Sequence, residues 1–151
     1  MTVTLRRARR EDVIVILRML VDDPLGKTRE DVTEPIDAAY GAAFEAIDKD
    51  ANSELLMAES GGRVIGCLQL TMIPGLTRHG ALRAQIEGVR IASEVRGQGL
   101  GGEMIRAALA RAKAKGARFA QLTSDVRRTE ARRFYEKIGF SASHVGFKIE
   151  V

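Results

Sequence analysis

Tryptophan is absent from this chain, cysteine occurs once, at Cys67, and histidine twice, at His79 and His144. A lone cysteine excludes an internal disulfide and suits a reducing compartment. These three residues show no metal-ligand spacing, so no metal is expected. Aromatic residues make up only 5% and do not interleave with the arginine clusters at Arg6–Arg10 and Arg127–Arg133. The net charge of +4 therefore comes without a base-stacking platform, and nucleic acid is not expected as a partner. The same positive field would favour a polyanionic small molecule. The longest apolar run, Val13 to Leu17, is far below the roughly 18 residues of a membrane span. No signal-peptide pattern adjoins the N-terminal arginines, so the expected location is the cytoplasm.

What is present suits one core. A length of 151 residues with 45% hydrophobic content predicts a single domain over residues 1–151. Val3 to Ala8 alternates as a half-buried strand, and Val13 to Val21 supplies the apolar body of a first helix. Pro35 stands where a second helix would begin, with Ile36, Tyr40, Ala43, Phe44 and Ile47 on one face. Glu54 to Ser60 and Arg63 to Ile73 predict two strands joined at Gly61-Gly62. Residues 76–80 read as a loop, and Ala81 to Ile91 as a fourth strand. Met104, Ile105, Ala108, Leu109 and Ala112 mark a third helix, which Gly116 ends. Arg118 to Thr123 is the next strand. Ala131, Phe134, Tyr135 and Ile138 form the face of a fourth helix, and Phe140 to Val151 predicts a final strand pair. The fold class expected is α/β (α+β), a mixed, mostly antiparallel sheet of about six or seven strands flanked by about four helices.

The most informative stretch is residues 86–102, Ile-Glu-Gly-Val-Arg-Ile-Ala-Ser-Glu-Val-Arg-Gly-Gln-Gly-Leu-Gly-Gly. A strand runs through a short polar elbow into a glycine-rich turn, and a helical pattern follows. Glycines let backbone N–H groups converge, and a helix N-terminus adds about half a positive charge beside them. Such a nest binds phosphate. Gly97, Gly99 and Gly102 also fit Gly-x-Gly-x-x-Gly, but Ser93 to Arg96 separate them from the strand. Only 49 residues follow Gly102, too few for a doubly wound dinucleotide fold. Gly26-Lys27-Thr28 resembles the end of a P-loop, yet Val21 stands where that motif needs its first glycine.

Arg96, Gly99 and Gly101 stand at the spacing Arg-x-x-Gly-x-Gly, which resembles the pyrophosphate-binding loop of the GNAT superfamily of acetyl-CoA-dependent N-acetyltransferases. Residues 131–140, Ala-Arg-Arg-Phe-Tyr-Glu-Lys-Ile-Gly-Phe, are similar to the superfamily's fourth-helix signature. Asp125-Val-Arg-Arg and Ser143-His-Val-Gly-Phe are further similar to bacterial aminoalkylphosphonate acetyltransferases. The resemblance implies acetyl-CoA as cosubstrate, its pyrophosphate held at Arg96, Gly97, Gln98, Gly99, Leu100, Gly101 and Gly102. It also implies that a backbone N–H of Val89 or Ile91 polarises the thioester carbonyl. Many members carry Asn seven residues before the signature tyrosine as a further cofactor contact, where this chain has Arg128. Dimers are common among such proteins, so a homodimer is conceivable.

Amine acetylation requires a neutral nucleophile, and a free primary amine with pKa near 10.4 is protonated at neutral pH. A site for it needs a proton acceptor and a donor for the departing thiolate. Glu87, on the strand said by resemblance to carry acetyl-CoA along its edge, is the candidate base; the competing reading is a surface carboxylate. Tyr135 is the candidate acid, against a tyrosine that serves packing alone. The expected activity is direct transfer of acetyl from acetyl-CoA to a small primary amine. The alternative from another class is a non-catalytic acyl-CoA-binding module that acts as a sensor or partner-binding subunit.

Overall fold

The structure is a computed structural model and describes residues 2–151. The chain divides into one unit ending at Gln121 and a second from Leu122 to Val151. In the first unit the strands β1 (Thr4–Arg7), β2 (Ser53–Ser60), β3 (Arg63–Ile73), β4 (Arg83–Ile91) and β5 (Phe119–Gln121) form one sheet in that order. Neighbouring strands are antiparallel except β4 and β5, which are parallel. The helices are α1 (Val13–Val21), α2 (Ala38–Lys49), the single turn α3 (Thr77–Gly80), α4 (Leu100–Ala114) and, in the second unit, α5 (Thr129–Lys137).

Period-2 alternation explains why the sheet is covered on both faces. Met57 and Cys67 stand opposite each other across β2 and β3 and pack with Ala8, Ile16 and Met19, the last two from α1. The next rung, Leu56 opposite Leu68, turns to the other face and is fully buried. On that face Gly66 admits α4: a Cβ there would lie 3.0 Å from the Met104 sulfur and 2.5 Å from the Arg90 carbonyl. A buried carboxylate locks α4 in place. Glu54 of β2 accepts two bonds from Arg111, at 2.8 and 2.7 Å, with Lys115 and Arg7 at 3.7 and 3.5 Å. The Arg111 guanidinium holds the Glu54 carboxyl below its ordinary range against the opposing effect of burial.

Three expectations need correction. The sheet has five strands rather than six or seven, because residues 140–151 form no strand among the described residues. Val145, Phe147 and Ile149 keep the alternation of a strand but are 78%, 92% and 88% exposed. Alternation specifies which face a strand would bury, and only a ladder partner makes it a strand. Among the described residues the helices number five, because residues 77–80 close one turn with Arg78 and His79 in the left-handed region, at φ 54° and 59°. Helix α2 starts at Ala38, not Pro35, because the Asp37 side chain caps it by accepting from the Ala39 N–H at 2.8 Å.

Candidate active site

Strand β4 pairs with β3 along its length but with β5 only at Arg83, Ala84 and Gln85. Past Gln85 one edge of β4 therefore lies outside the ladder. Gly88, at φ 60°, sits in a bulge between the Cys67–Arg90 and Gln69–Glu87 rungs. The Ala92 N–H donates to the Ile65 carbonyl at 2.9 Å. Alternation then turns the Ile91 N–H away from β3, to the edge without a partner strand. The Val89 carbonyl accepts from the Arg90 side chain at 2.8 Å.

Beyond β4 a 3-10 turn at Ser93–Val95 leads into the glycine segment. Gly97 and Gly99 adopt φ of 79° and 81°, which only glycine takes without strain, and Gly99 is the N-cap of α4. The N–H groups of Gly102 and Glu103 close onto the Gly99 carbonyl at 3.1 and 3.4 Å. Those of Gly97, Gln98, Gly99, Leu100 and Gly101 have no acceptor among the described residues. A helix start always leaves such donors, and here two left-handed glycines add to them. No heavy atom stands within 4 Å of where a Cβ would be at Gly97 or Gly99, so a ligand can reach the backbone. Phosphate oxygens fit this donor set by charge and by approach.

Arg96 plays a part that sequence spacing does not show. Its Nε donates to the Ile91 carbonyl at 3.1 Å, and its Nη2 to both the carbonyl and the carboxylate of Asp22 at 3.1 Å. The side chain thus ties the end of β4 and the glycine segment to the C-terminus of α1. Asp22 gives no local hint of this in the sequence, because its partner is 74 residues away. A second brace lies close by in the chain, with Arg90 Nη2 4.0 Å from Asp23 and both side chains largely buried.

Glu87 is exposed and stands opposite Gln69 on β3. The first unit thus brings Glu87, Val89, Ile91 and Arg96–Gly102 onto one continuous strand–turn–helix segment. Tyr135 and Arg128 belong to the second unit. Tyr135 is half-buried in α5 and meets Phe134 and Phe140 edge-on, with ring centroids 5.1 and 5.8 Å away. Arg128 is the N-cap residue of α5, and its N–H donates to the Asp125 carbonyl at 2.9 Å. Burial pushes the Cys67 thiol up to about 12, which removes it as a nucleophile at neutral pH. No group of His, Cys, Asp and Glu able to hold a metal occurs among the described residues.

The model of the acetyltransferase (GNAT) family matches residues 16–140. The chain belongs to the GNAT family. It is accordingly an acyltransferase, with the family's α+β architecture built on one mixed sheet. An aminoalkylphosphonate N-acetyltransferase from Salmonella typhimurium is 26% identical over 155 residues, which span 92% of this chain and 94% of that one. A crystal structure described as a transcriptional regulator from Bacillus halodurans is 46% identical, with a TM-score of 0.93 over 99% of both chains. A structure described as a predicted acetyltransferase with acetyl-CoA, from Clostridium acetobutylicum, shares the GNAT fold at 17% identity. Its TM-score is 0.73, over 99% of this chain and 96% of that one.

Proposed function

We propose that the chain transfers acetyl from acetyl-CoA directly to the amine of a small acceptor within a ternary complex. One observation carries the reading: the donor set of Gly97–Gly101 opens at the start of α4, immediately beyond the strand edge that β5 leaves. A thioester laid along that edge would find the Ile91 N–H for its carbonyl oxygen and the glycine turn for its pyrophosphate. The proteins known to bind acetyl-CoA on this fold include the Clostridium acetobutylicum structure, which supports the same choice of donor.

Glu87 takes the proton of the acceptor ammonium, directly or through one water, and the freed amine attacks the thioester carbon. The C–N bond forms, the C–S bond breaks, the leaving thiolate receives the Tyr135 hydroxyl proton, and the tyrosinate so formed takes, through solvent, the second proton that the attacking nitrogen loses as it becomes an amide. The neutral amide and free CoA thiol are the products. Aminoalkylphosphonate acetylation by the Salmonella relative favours an acceptor that carries an acidic group beside its amine. The arginine surplus of this chain suits such an acceptor.

A second reading has one observation in its favour, the regulator description of the Bacillus halodurans structure. In it, acyl-CoA binding rather than turnover carries the biological signal. A thiol-release assay with acetyl-CoA across a panel of amines, aminocarboxylates and aminophosphonates separates the two. Acceptor-dependent CoA release is expected. Tight acetyl-CoA binding with no release above the acceptor-free rate would favour the regulatory reading.

A further inference from the structure

Strand β4 carries Arg83, Gln85 and Glu87 on one face, opposite Ile73, Thr71 and Gln69 of β3. Phe119 and Gln121 of β5 register with Arg83 and Gln85 and share that face. The Gln121 side chain donates to Gln85 Oε1 at 2.8 Å, as this placement requires. Among these residues Glu87 is the only carboxylate and Arg83 the only cation.

Arg83 has no counter-ion among the described residues. It is half-buried, its Nε is buried with no hydrogen-bond partner, and its Nη1 reaches only Gln121 Oε1, at 3.5 Å. A guanidinium drawn partly out of water loses hydration that an acidic partner ordinarily replaces. A second arginine stands beside it. Arg78 Cζ lies 4.8 Å from the centroid of the Phe119 ring, and Phe119 is the register partner of Arg83. Arg78 is exposed and, like Arg83, forms no ion pair among the described residues. The stretch that joins the two, residues 74–83, contains no acidic residue. Its backbone is also strained, since Arg78 and His79 are the only non-glycine residues described at positive φ. L-residues take that conformation at a cost, and it persists where the surroundings hold it, often at ligand sites. Two arginines thus flank Phe119 with no acid between them.

The pair lies at the opposite end of β4 from the glycine turn. Eight residues of strand, about 26 Å, separate Arg83 from Ile91, so the pyrophosphate assigned to that turn does not reach it. Glu87 is nearer, four residues along the same face, or about 13 Å. We infer that Arg83 and Arg78 bind the acidic group of the acetyl acceptor, which is an ω-amino acid. With a hydrogen bond inclined inward at each end, about 10 Å separates its acid from the amine at Glu87. The length rests on the acetyl-transfer reading, which puts the amine at Glu87; the anion site does not.

Calorimetric titration of the whole chain, with no acetyl-CoA present, tests the anion site with 8-aminooctanoate, its neutral amide and 3-aminopropionate. The first has the inferred reach, the second lacks the charge, and the third is too short. The long acid should bind about tenfold more tightly than its amide. Arg83→Gln should abolish that preference without lowering the melting temperature, since no ion pair is lost. Arg83→Lys, which keeps the charge, should retain part of it, and Arg78→Gln should reduce it about threefold. Thiol release with acetyl-CoA then reads the length, with the lowest KM expected for 8-aminooctanoate. An acid preference that depends on Arg83, with no thiol release from any probe, would contradict acetyl transfer and support the anion site. Equal binding of acid and amide, binding of neither, or a preference that survives Arg83→Gln would overturn the anion site whether or not amines are acetylated. A lower KM for 3-aminopropionate would overturn the length.

Discussion

Asp22 and Arg96 join the last turn of α1 to the first residue of the glycine turn through two 3.1 Å bonds from one guanidinium nitrogen. The same guanidinium reaches back to the Ile91 carbonyl, so strand end, turn and helix α1 share one anchor. Arginine suits this because its planar fork addresses several acceptors at fixed angles.

Arg96→Gln should therefore act on ligand binding more than on stability. The side chains of both partners are about half exposed, 49% and 52%, so the loss in folding free energy should stay near 1 kcal/mol or less. Acetyl-CoA affinity should fall roughly three- to tenfold as the turn loses its fixed shape. Thermal unfolding and acetyl-CoA titration on one preparation check both halves. A large drop in melting temperature with unchanged affinity would make Arg96 a stabilising residue only.

Glu87→Gln removes the proposed proton acceptor and keeps the shape of an exposed strand residue. Turnover at saturating amine should drop by about 10²- to 10⁴-fold, with the acidic limb of the pH–rate profile displaced. An unaltered profile would return Glu87 to the role of a surface carboxylate.

Tyr135→Phe separates chemistry from packing, since the ring keeps its edge-on contacts with Phe134 and Phe140. With the hydroxyl acting on the thiolate, kcat should fall while acetyl-CoA affinity holds, because that interaction belongs to the transition state. Full turnover in the variant would reject the acid role.

Glu54 links the sheet to stability against acid. Its carboxyl is held below its ordinary range, chiefly by Arg111, so the pairing stabilises the fold above the unfolded value of about 4.3 and is lost as pH falls through the lower folded value. Glu54→Gln should cost about 1–3 kcal/mol at neutral pH, less than a fully buried pair because Arg111 and Lys115 are partly exposed, at 33% and 37%. Urea unfolding at several pH values should show the difference from the parent shrinking below about pH 4. A difference that persists unchanged there would assign the loss to packing instead.

Local chemistry made much of this molecule legible in advance. Val13 to Val21 is helical where its apolar run is, and α4 and α5 are each followed by a left-handed glycine, Gly116 and Gly139. The glycine turn was readable because φ near 80° at two positions leaves glycine as the only unstrained residue. What stayed hidden depends on partners remote in the chain. Arg96 reads as a phosphate ligand until Asp22 is beside it. Val145 to Val151 carries a strand's alternation with no ladder to join, and alternation contains no information about the ladder.

The claim that the N–H groups of Gly97–Gly101 receive a pyrophosphate is tested most directly by a ¹⁵N-resolved titration of the protein with CoA, followed amide by amide. Binding at the turn predicts that the largest shifts fall on Gly97, Gln98, Gly99, Leu100 and Gly101. Smaller shifts should follow at Ile91, and desulfo-CoA, which keeps the pyrophosphate, should reproduce the pattern at the turn. Saturable binding that leaves these amides unmoved and shifts others would contradict it.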